Sequence, residues 1–193
     1  MLVGAVGDLV EGAAQYEEDR QAWQQFLDGV RPKAILELGT GTGVFSRWLS
    51  QHVAWFATID IEQPQAGTPG FHRLSVWDDE SEILALIREA PRPFVLFCDD
   101  GDKPLEIDKY APAVRVGDFV AVHDVGTEVF LDRDIPRWLT VVQAGGLTAF
   151  CLKTAHPPLR DRVTRRVRLL RGRLRLRTRL LRALGVHGPS RGA

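Results

Sequence analysis

The sequence is poor in cysteine and has no long apolar run. Only Cys98 and Cys151 occur among 193 residues, each within a short apolar stretch, and this pattern fits buried thiols rather than a disulfide framework or a zinc site. No apolar run approaches 18 residues, and the first charged residues, Asp8 and Glu11, are acidic. The pattern supports neither a membrane span nor a secretory signal, so we expect a cytoplasmic protein.

The chain also lacks net charge, but its charges are divided unevenly. Residues 160–193 contain twelve arginines, no lysine and a single acid, Asp161, for a net charge of +11, whereas residues 1–159 carry −11. Clustered arginines attract phosphate-rich surfaces. We therefore predict a domain over residues 1–158 and a basic tail over 159–193 that contacts an anionic membrane or nucleic acid, which would make the protein peripheral to a membrane in the first case.

The composition, 45% hydrophobic and 26% charged residues, allows one globular domain in which strands and helices alternate. The predicted strands are residues 33–38, 54–60, 71–76, 93–99, 118–124 and 147–153. The predicted helices are residues 11–30, 44–51, 78–90, 105–114 and 134–143. This alternation predicts an α/β fold with a doubly wound, mostly parallel Rossmann-like sheet and helices on both faces. A seventh strand is left open, and the tail fits either an amphipathic helix or, over residues 173–179, a strand.

A glycine-rich loop follows the first predicted strand and opens a helix. It reads Glu-Leu-Gly-Thr-Gly-Thr-Gly over residues 37–43. Glycines there let a ligand lie against the backbone at the carboxyl end of the strand. Glu37 is suited to a cationic amino acid group, and Asp60, at the end of the second strand, can accept hydrogen bonds from both hydroxyls of a ribose. The loop therefore predicts a nucleoside cofactor site.

The chain resembles class I S-adenosylmethionine-dependent methyltransferases over residues 30–153. The resemblance lies in the glycine loop, the end of the second strand and the order of the βα elements. The resemblance implies that the glycine loop lines the methionine part of the cofactor, that Asp60 holds the ribose and that residues 75–78 frame the adenine ring. Trp77 can equally be a core residue. The cofactor-binding residues expected on this basis are Glu37, Gly39, Thr40, Gly41, Gly43, Asp60, Ser75, Trp77 and Asp99.

Acids and a histidine follow the fourth and fifth predicted strands. The pattern is similar to that of metal-dependent O-methyltransferases, both the catechol type and the group containing cephalosporin hydroxylase and rhamnosyl O-methyltransferases. It implies a site for Mg²⁺ or Mn²⁺ formed by Asp99 or Asp100 together with His123 and Asp124. His123 departs from the pattern because an acid is usual there. The spacing Asp100-x-x-Lys103 resembles the catechol-type arrangement, and this resemblance implies Asp100 as a ligand, whereas the end of the fourth strand selects Asp99.

The activity implied by this resemblance is transfer of a methyl group to a hydroxyl oxygen of a glycan or secondary metabolite. The expected catalytic residues are Lys103, His123 and Asp124, with Lys103 or His123 removing the hydroxyl proton. The Asn/Asp-Pro-Pro-Tyr/Phe signature of amino-group methylation is missing after strand four. Two alternatives remain: a cofactor-binding adaptor without turnover that uses the tail, and an RNA methyltransferase. A homo-oligomer could complete the acceptor site.

Overall fold

The computed structural model describes residues 17–64 and 67–158, together with residues 161 and 169. The chain divides into two compact units, Met1–His156 and Pro157–Ala193. In the second unit only residues 157, 158, 161 and 169 are described, so the predicted tail helix or strand lies outside the described residues. The same holds for residues 11–16 of the first predicted helix.

Twelve elements make up the described part of the first unit. They are α1 Glu17–Val30, β1 Ala34–Leu38, α2 Val44–Ser50, β2 Trp55–Asp60, β3 Phe71–Arg73, α3 Glu80–Glu89, β4 Phe94–Cys98, α4 Lys103–Tyr110, β5 Phe119–Val122, α5 Leu131–Asp134, β6 Leu139–Gly145 and β7 Thr148–Lys153. No helix in the described ranges is long and apolar enough to cross a lipid bilayer. All six predicted strands are present, although the strand expected over 71–76 ends at Arg73.

The seven strands form one sheet in the order β3-β2-β1-β4-β5-β7-β6. Strands β1 to β5 pair in parallel, and β7 is antiparallel to both β5 and β6. Alternate side chains of the sheet enter two separate apolar clusters. One cluster joins Ile35, Val95 and Phe150 to Trp23 and Phe26 of α1. The other cluster joins Leu36, Leu96 and Val120 to Ile83 of α3 and to Ile107 and Tyr110 of α4. The predicted mostly parallel sheet with helices on both faces is confirmed.

The prediction of a helix over residues 134–143 is wrong. Residues 131–134 form one helical turn, and β6 runs from Leu139 to Gly145. Pro136 cannot donate a helical hydrogen bond, and the β-branched run from Thr140 to Val142 favours a strand. Gly146 takes a positive φ of 57° at the turn into β7, which lets the two strands pair as a hairpin. The seventh strand, which the sequence left open, is therefore β6.

The strand order reverses between β1 and β4. The chain moves outward from β1 through β2 to β3, and then returns to β4 on the other side of β1. The Asp99 amide donates a hydrogen bond of 2.9 Å to the Leu38 carbonyl, so the carboxyl ends of β1 and β4 lie side by side. In open parallel sheets, ligands bind in the crevice at such a reversal point.

Candidate active site

The glycine loop between β1 and α2 forms one wall of the crevice. Gly39 has a φ of 93°, and a Cβ built on it would lie 2.5 Å from the backbone oxygen of Asp99. A side chain at this position would therefore press against the chain that leaves β4. Gly43 caps the N-terminus of α2 with a φ of 80°. The loop keeps its backbone open because glycine is the residue that tolerates both the positive φ and the close approach.

Asp60, the last residue of β2, holds this loop from the side. Its Oδ2 atom accepts hydrogen bonds of 3.1 Å from the amides of Thr40 and Gly41, and its Oδ1 atom accepts one of 3.0 Å from the amide of Glu62. The carboxylate thus lies at the end of the strand next to β1, where the sequence predicts a ribose-binding acid. Asp60 fixes the position of the loop amides with one of its two oxygens.

Glu37 lies beneath the loop and is 1% exposed. Its Oε2 atom accepts hydrogen bonds from the hydroxyls of Ser46 and Thr58, so the carboxyl group connects β1 to α2 and β2. Burial raises the pKa of Glu37 to about 8, although these two hydrogen bonds act in the opposite direction. The side chain is therefore mostly protonated at neutral pH when no cation lies beside it.

The ends of β4 and β5 bring three candidate metal ligands together. His123 Nδ1 lies 3.1 Å from Asp99 Oδ1 and 3.2 Å from Asp124 Oδ1. Each of the three residues offers one ligand atom, and these atoms all lie within 4.8 Å of one another. The backbone amide of His123 donates to the Cys98 carbonyl, which keeps the two strand ends in register. Asp99, His123 and Asp124 are called the ligand cluster below.

Lys103, the first residue of α4, borders the ligand cluster. Its Nζ atom lies 2.6 Å from Asp124 Oδ2 and 3.3 Å from Glu128 Oε2. Burial alone lowers the pKa of Lys103, but the hydrogen bond and charge of Asp124 outweigh it and raise this pKa above its usual value. Conversely, the hydrogen bond from His123 and the contact with Lys103 hold the pKa of Asp124 well below its usual range.

Asp19 of α1 is a member of this site that the sequence analysis did not identify. It is completely buried, and its Oδ2 atom lies 3.5 Å from His123 Nε2. A signal existed in the sequence, because Asp19 shares one helix face with Trp23 and Phe26, at spacings of four and seven residues. An acid on an otherwise apolar stripe needs a buried partner. His123 on β5 could not be recognised as that partner from local pattern alone.

The charges of the cluster determine the protonation of His123. Burial alone lowers the pKa of His123, but the nearby carboxylates of Asp124, Asp19 and Asp99 raise it to about 11. In this arrangement His123 is an imidazolium surrounded by carboxylates. Burial also raises the pKa of Asp99, although the contact with His123 acts against that shift.

The loop and the ligand cluster line one cavity of about 310 Å³. Its lining residues are Glu37, Gly39, Thr40, Gly41, Thr42, Phe45, Asp99, Lys103, His123 and Asp124. Eight of the predicted site residues thus meet at this cavity. Gly43 and Asp60 lie at the loop but are not part of the cavity lining.

Three of the predicted site residues do not line the cavity: Asp100, Ser75 and Trp77. Asp100 is not part of the ligand cluster, and its backbone amide donates a hydrogen bond of 3.3 Å to Glu106 Oε2. The hydroxyl of Ser75 donates to Asp78 in the turn after β3. Trp77 packs against the apolar core next to α3 and α4, and its ring centroid lies 5.6 Å from the Lys109 ammonium nitrogen. The geometry thus fits the core interpretation of Trp77 and brings Asp99 rather than Asp100 next to His123.

Comparison with known proteins shows a fold likeness at low sequence identity. No family model matches the sequence, and no curated protein matches it. A structure of CmcI with S-adenosylhomocysteine (SAH) is similar with a TM-score of 0.54 and 17% identity, over 72% of this chain and 77% of that chain. An apo structure of CmcI gives a TM-score of 0.55 and 17% identity, over 70% of both chains.

A third similar structure is that of a protein from Staphylococcus aureus described as a caffeoyl-CoA O-methyltransferase. It has a TM-score of 0.53 and 12% identity, over 74% of this chain and 86% of that chain. Identities this low establish the fold alone. The predicted class I methyltransferase fold is confirmed at this level.

Proposed function

We propose that this protein transfers the methyl group of S-adenosylmethionine to a hydroxyl oxygen of a glycan or secondary metabolite, assisted by Mg²⁺ or Mn²⁺. The observation that carries the proposal is that one cavity is lined on one side by the glycine loop and on the other by Asp99, Lys103, His123 and Asp124. A nucleoside donor and a charged group able to activate an acceptor would therefore meet in one place. The methyltransferase fold supports the same reaction class.

The loop side suits the donor. Backbone amides and Asp60 provide polar groups at the end of β2, next to the strand reversal. Glu37 lines the cavity beneath the loop and would face the cationic amino group of the methionine moiety. A cation at that position favours the ionised carboxylate, so donor binding would lower the raised pKa of Glu37.

The ligand cluster has the donor chemistry of a divalent cation site. Two carboxylates and an imidazole suit Mn²⁺ and, less strongly, Mg²⁺. The distances of 3.1 and 3.2 Å from His123 Nδ1 to the two carboxylates are close to the spacing of roughly 3 Å between adjacent ligands of an octahedral ion with bonds of about 2.1 Å. The residues present therefore fit the ion. A metal ligand must be deprotonated, so His123 would lose its proton on binding.

The chemical step needs little from the protein beyond positioning and proton removal. The hydroxyl oxygen forms a bond to the methyl carbon, the bond from that carbon to sulfur breaks, and SAH leaves. A divalent cation held there would lower the pKa of the acceptor hydroxyl and of basic groups beside it. Lys103 lies at the cavity wall and is the candidate base in its neutral form. Without an ion, the surrounding carboxylates hold His123 as an imidazolium, which has no lone pair to accept the hydroxyl proton.

The size of the cavity supports an acceptor that enters only in part. A volume of about 310 Å³ lies at the lower limit for pockets that enclose a small molecule, which run from about 300 to 1,000 Å³. The methionine end of the donor takes up part of this space. We therefore expect the reactive hydroxyl to enter while the rest of a glycan or secondary metabolite stays outside.

The test combines binding with turnover. We expect calorimetry to detect SAH binding to the full-length protein and Mn²⁺ binding to the ligand cluster. A panel of hydroxylated acceptors should then give SAH as a product. Asp124→Ala removes one carboxylate ligand and the partner of Lys103, so it should lower the methyl-transfer rate at least about 100-fold while SAH binding persists. Asp132→Ala, on the exposed surface of α5, is the matched control and should leave both unchanged.

Two results would contradict the proposal. If folded protein binds no SAH, the donor assignment is wrong. If Asp124→Ala methylates an acceptor at the wild-type rate, the ligand cluster has no part in the reaction. Release of SAH with an acceptor also separates an enzyme from an adaptor that binds the cofactor without turnover.

A further inference from the structure

Asp19 is held by the hairpin turn between β6 and β7. Its Oδ1 atom accepts hydrogen bonds from the amide of Leu147, at 2.7 Å, and the hydroxyl of Thr148, at 2.9 Å. A Cβ built on Gly146 would lie 2.7 Å from the same Oδ1 atom, so the turn can close over α1 only because this residue is glycine. These contacts fix the direction of the carboxylate.

The second oxygen of Asp19 is directed at His123. Oδ2 lies 3.5 Å from Nε2, and this nitrogen is buried with no hydrogen bond of normal geometry among the described residues. Since Oδ1 is held by the turn, a small movement of the ring toward α1 would complete a hydrogen bond from Nε2 to Oδ2.

The two ring nitrogens of His123 therefore face different surroundings. Nε2 faces α1 and Asp19, whereas Nδ1 faces Asp99 and Asp124 at the cavity. A neutral imidazole carries one N–H and one lone pair. A carboxylate that accepts the Nε2 hydrogen leaves the lone pair on Nδ1. Histidines that bind metals are commonly oriented by such a carboxylate behind the ring.

We propose that Asp19 is a positioning residue that keeps the proton of His123 on Nε2, so that Nδ1 becomes a nitrogen ligand beside Asp99 and Asp124. This inference rests on the cation site of the proposed function. It has a consequence for metal choice, because an imidazole ligand in place of an oxygen ligand favours Mn²⁺ over Mg²⁺.

The experiment measures Mn²⁺ binding to the full-length protein without cofactor or acceptor. Calorimetry gives the affinity, and pulsed electron paramagnetic resonance detects the coupling of a ¹⁴N nucleus to bound Mn²⁺. We expect this coupling in the wild type and its loss in His123→Asn. Asp19→Asn presents an amide to Nε2 and should weaken Mn²⁺ binding about 10- to 100-fold and weaken or remove the coupling. Asp28→Asn, on the exposed side of α1, should change neither.

A second variant covers the case in which Asp19→Asn fails to fold. Thr148→Val removes one hydrogen bond to Oδ1 and leaves the charge of Asp19 in place, so it should weaken Mn²⁺ binding by several-fold. Retained SAH binding reports that each variant is folded. A merely structural role for Asp19 would lower stability without changing the Mn²⁺ affinity of the folded protein or the ¹⁴N coupling.

The results separate the two proposals. Mn²⁺ binding without ¹⁴N coupling in the wild type, or unchanged affinity and coupling in Asp19→Asn, would overturn the role of Asp19 and leave the cation site intact. Absence of Mn²⁺ binding in a wild type that still binds SAH would overturn both the role of Asp19 and the metal assistance. The donor site would then remain, with His123 as an imidazolium among three carboxylates.

Discussion

The two sides of the crevice are built in different ways. On the side of β1 and β2, backbone amides and glycine conformations form the surface, and Asp60 holds the loop through two of those amides. On the side of β4 and β5, charged side chains form the surface. His123 contacts Asp99 and Asp124, and Asp124 also contacts Lys103. These are called the loop side and the charged side below.

Because the two sides are built differently, their structures depend on different parts of the molecule. The loop side depends on local backbone conformation, so it tolerates changes in side chains that do not alter that conformation. The charged side depends on the packing of α1, α4 and the β6–β7 hairpin, which support its side chains from behind. Substitutions should therefore affect the binding of SAH and of Mn²⁺ separately, except at Gly39, where the two sides touch.

The largest expected effect is that of Gly39→Ala, which breaks the separation between the two sides. The new Cβ would lie 2.5 Å from the Asp99 oxygen at a φ of 93°. Neither backbone can move without disturbing the other side, so we expect a loss of about 3 kcal/mol in the free energy of unfolding. Binding of SAH and of Mn²⁺ should both weaken. Chemical denaturation and calorimetry measure the three quantities.

Gly41→Ala is the matched control for Gly39→Ala. Gly41 also has a positive φ, 53°, but nothing lies within 4 Å of a Cβ at this position. Gly41→Ala should lower the free energy of unfolding only through the strained backbone conformation, by about 1 kcal/mol. Mn²⁺ binding should not change. Equal losses of unfolding free energy in the two variants would mean that a clash with Asp99 contributes nothing to the destabilisation by Gly39→Ala.

Asp60→Ala should affect the loop side alone. The substitution removes the acceptor of the Thr40 and Gly41 amides and the carboxylate proposed to bind the ribose. Hydrogen bonds to charged groups contribute about 1.5 to 3 kcal/mol each, so SAH affinity should fall about 100-fold. Mn²⁺ affinity should stay at the wild-type value, which calorimetry of both ligands tests.

Glu62→Ala controls for the removal of a neighbouring acid. Glu62 contacts Asp60 through its backbone amide, which alanine retains, and its side chain is exposed. SAH affinity should therefore not change. A loss of Mn²⁺ binding in Asp60→Ala would mean that the two sides are coupled through the loop.

The loop side could be predicted from the sequence because its determinants are local. A buried strand, three glycines at alternate positions and an acid about 20 residues later specify a loop and its neighbour without knowledge of distant contacts. The six strands were predictable for the same reason, since each is a short apolar run. The seventh strand, β6, could not be predicted, because the apolar positions of residues 134–143 also fit a helix. Its pairing with β7, which is not visible in the local pattern, stabilises the strand.

The charged side could be predicted only in part. The sequence indicated Asp99, His123 and Asp124, because acids and histidine follow adjacent strands. It did not separate Asp99 from Asp100, since that difference depends on β4 ending at Cys98. Asp19 was missed because its partner is 104 residues away and meets it only after α1 packs on the sheet.

Glu37→Gln tests whether the loop side holds a neutral carboxyl group. The pKa of Glu37 rises from an ordinary 4.5 to about 8 on folding, chiefly through burial. Between these pH values the folded state binds more protons than the unfolded state, so raising the pH favours unfolding. The contribution of one group is at most about 1.4 kcal/mol per pH unit.

Glutamine keeps an acceptor for Ser46 and Thr58 and does not titrate. The stability of the wild type relative to Glu37→Gln should therefore fall as the pH rises from 4.5 to 8 and stay constant above that range. The other titrating groups are common to both proteins, so the difference between their unfolding free energies isolates Glu37. Parallel curves across this range would mean that Glu37 is already ionised, and that the loop side carries a buried negative charge like the charged side.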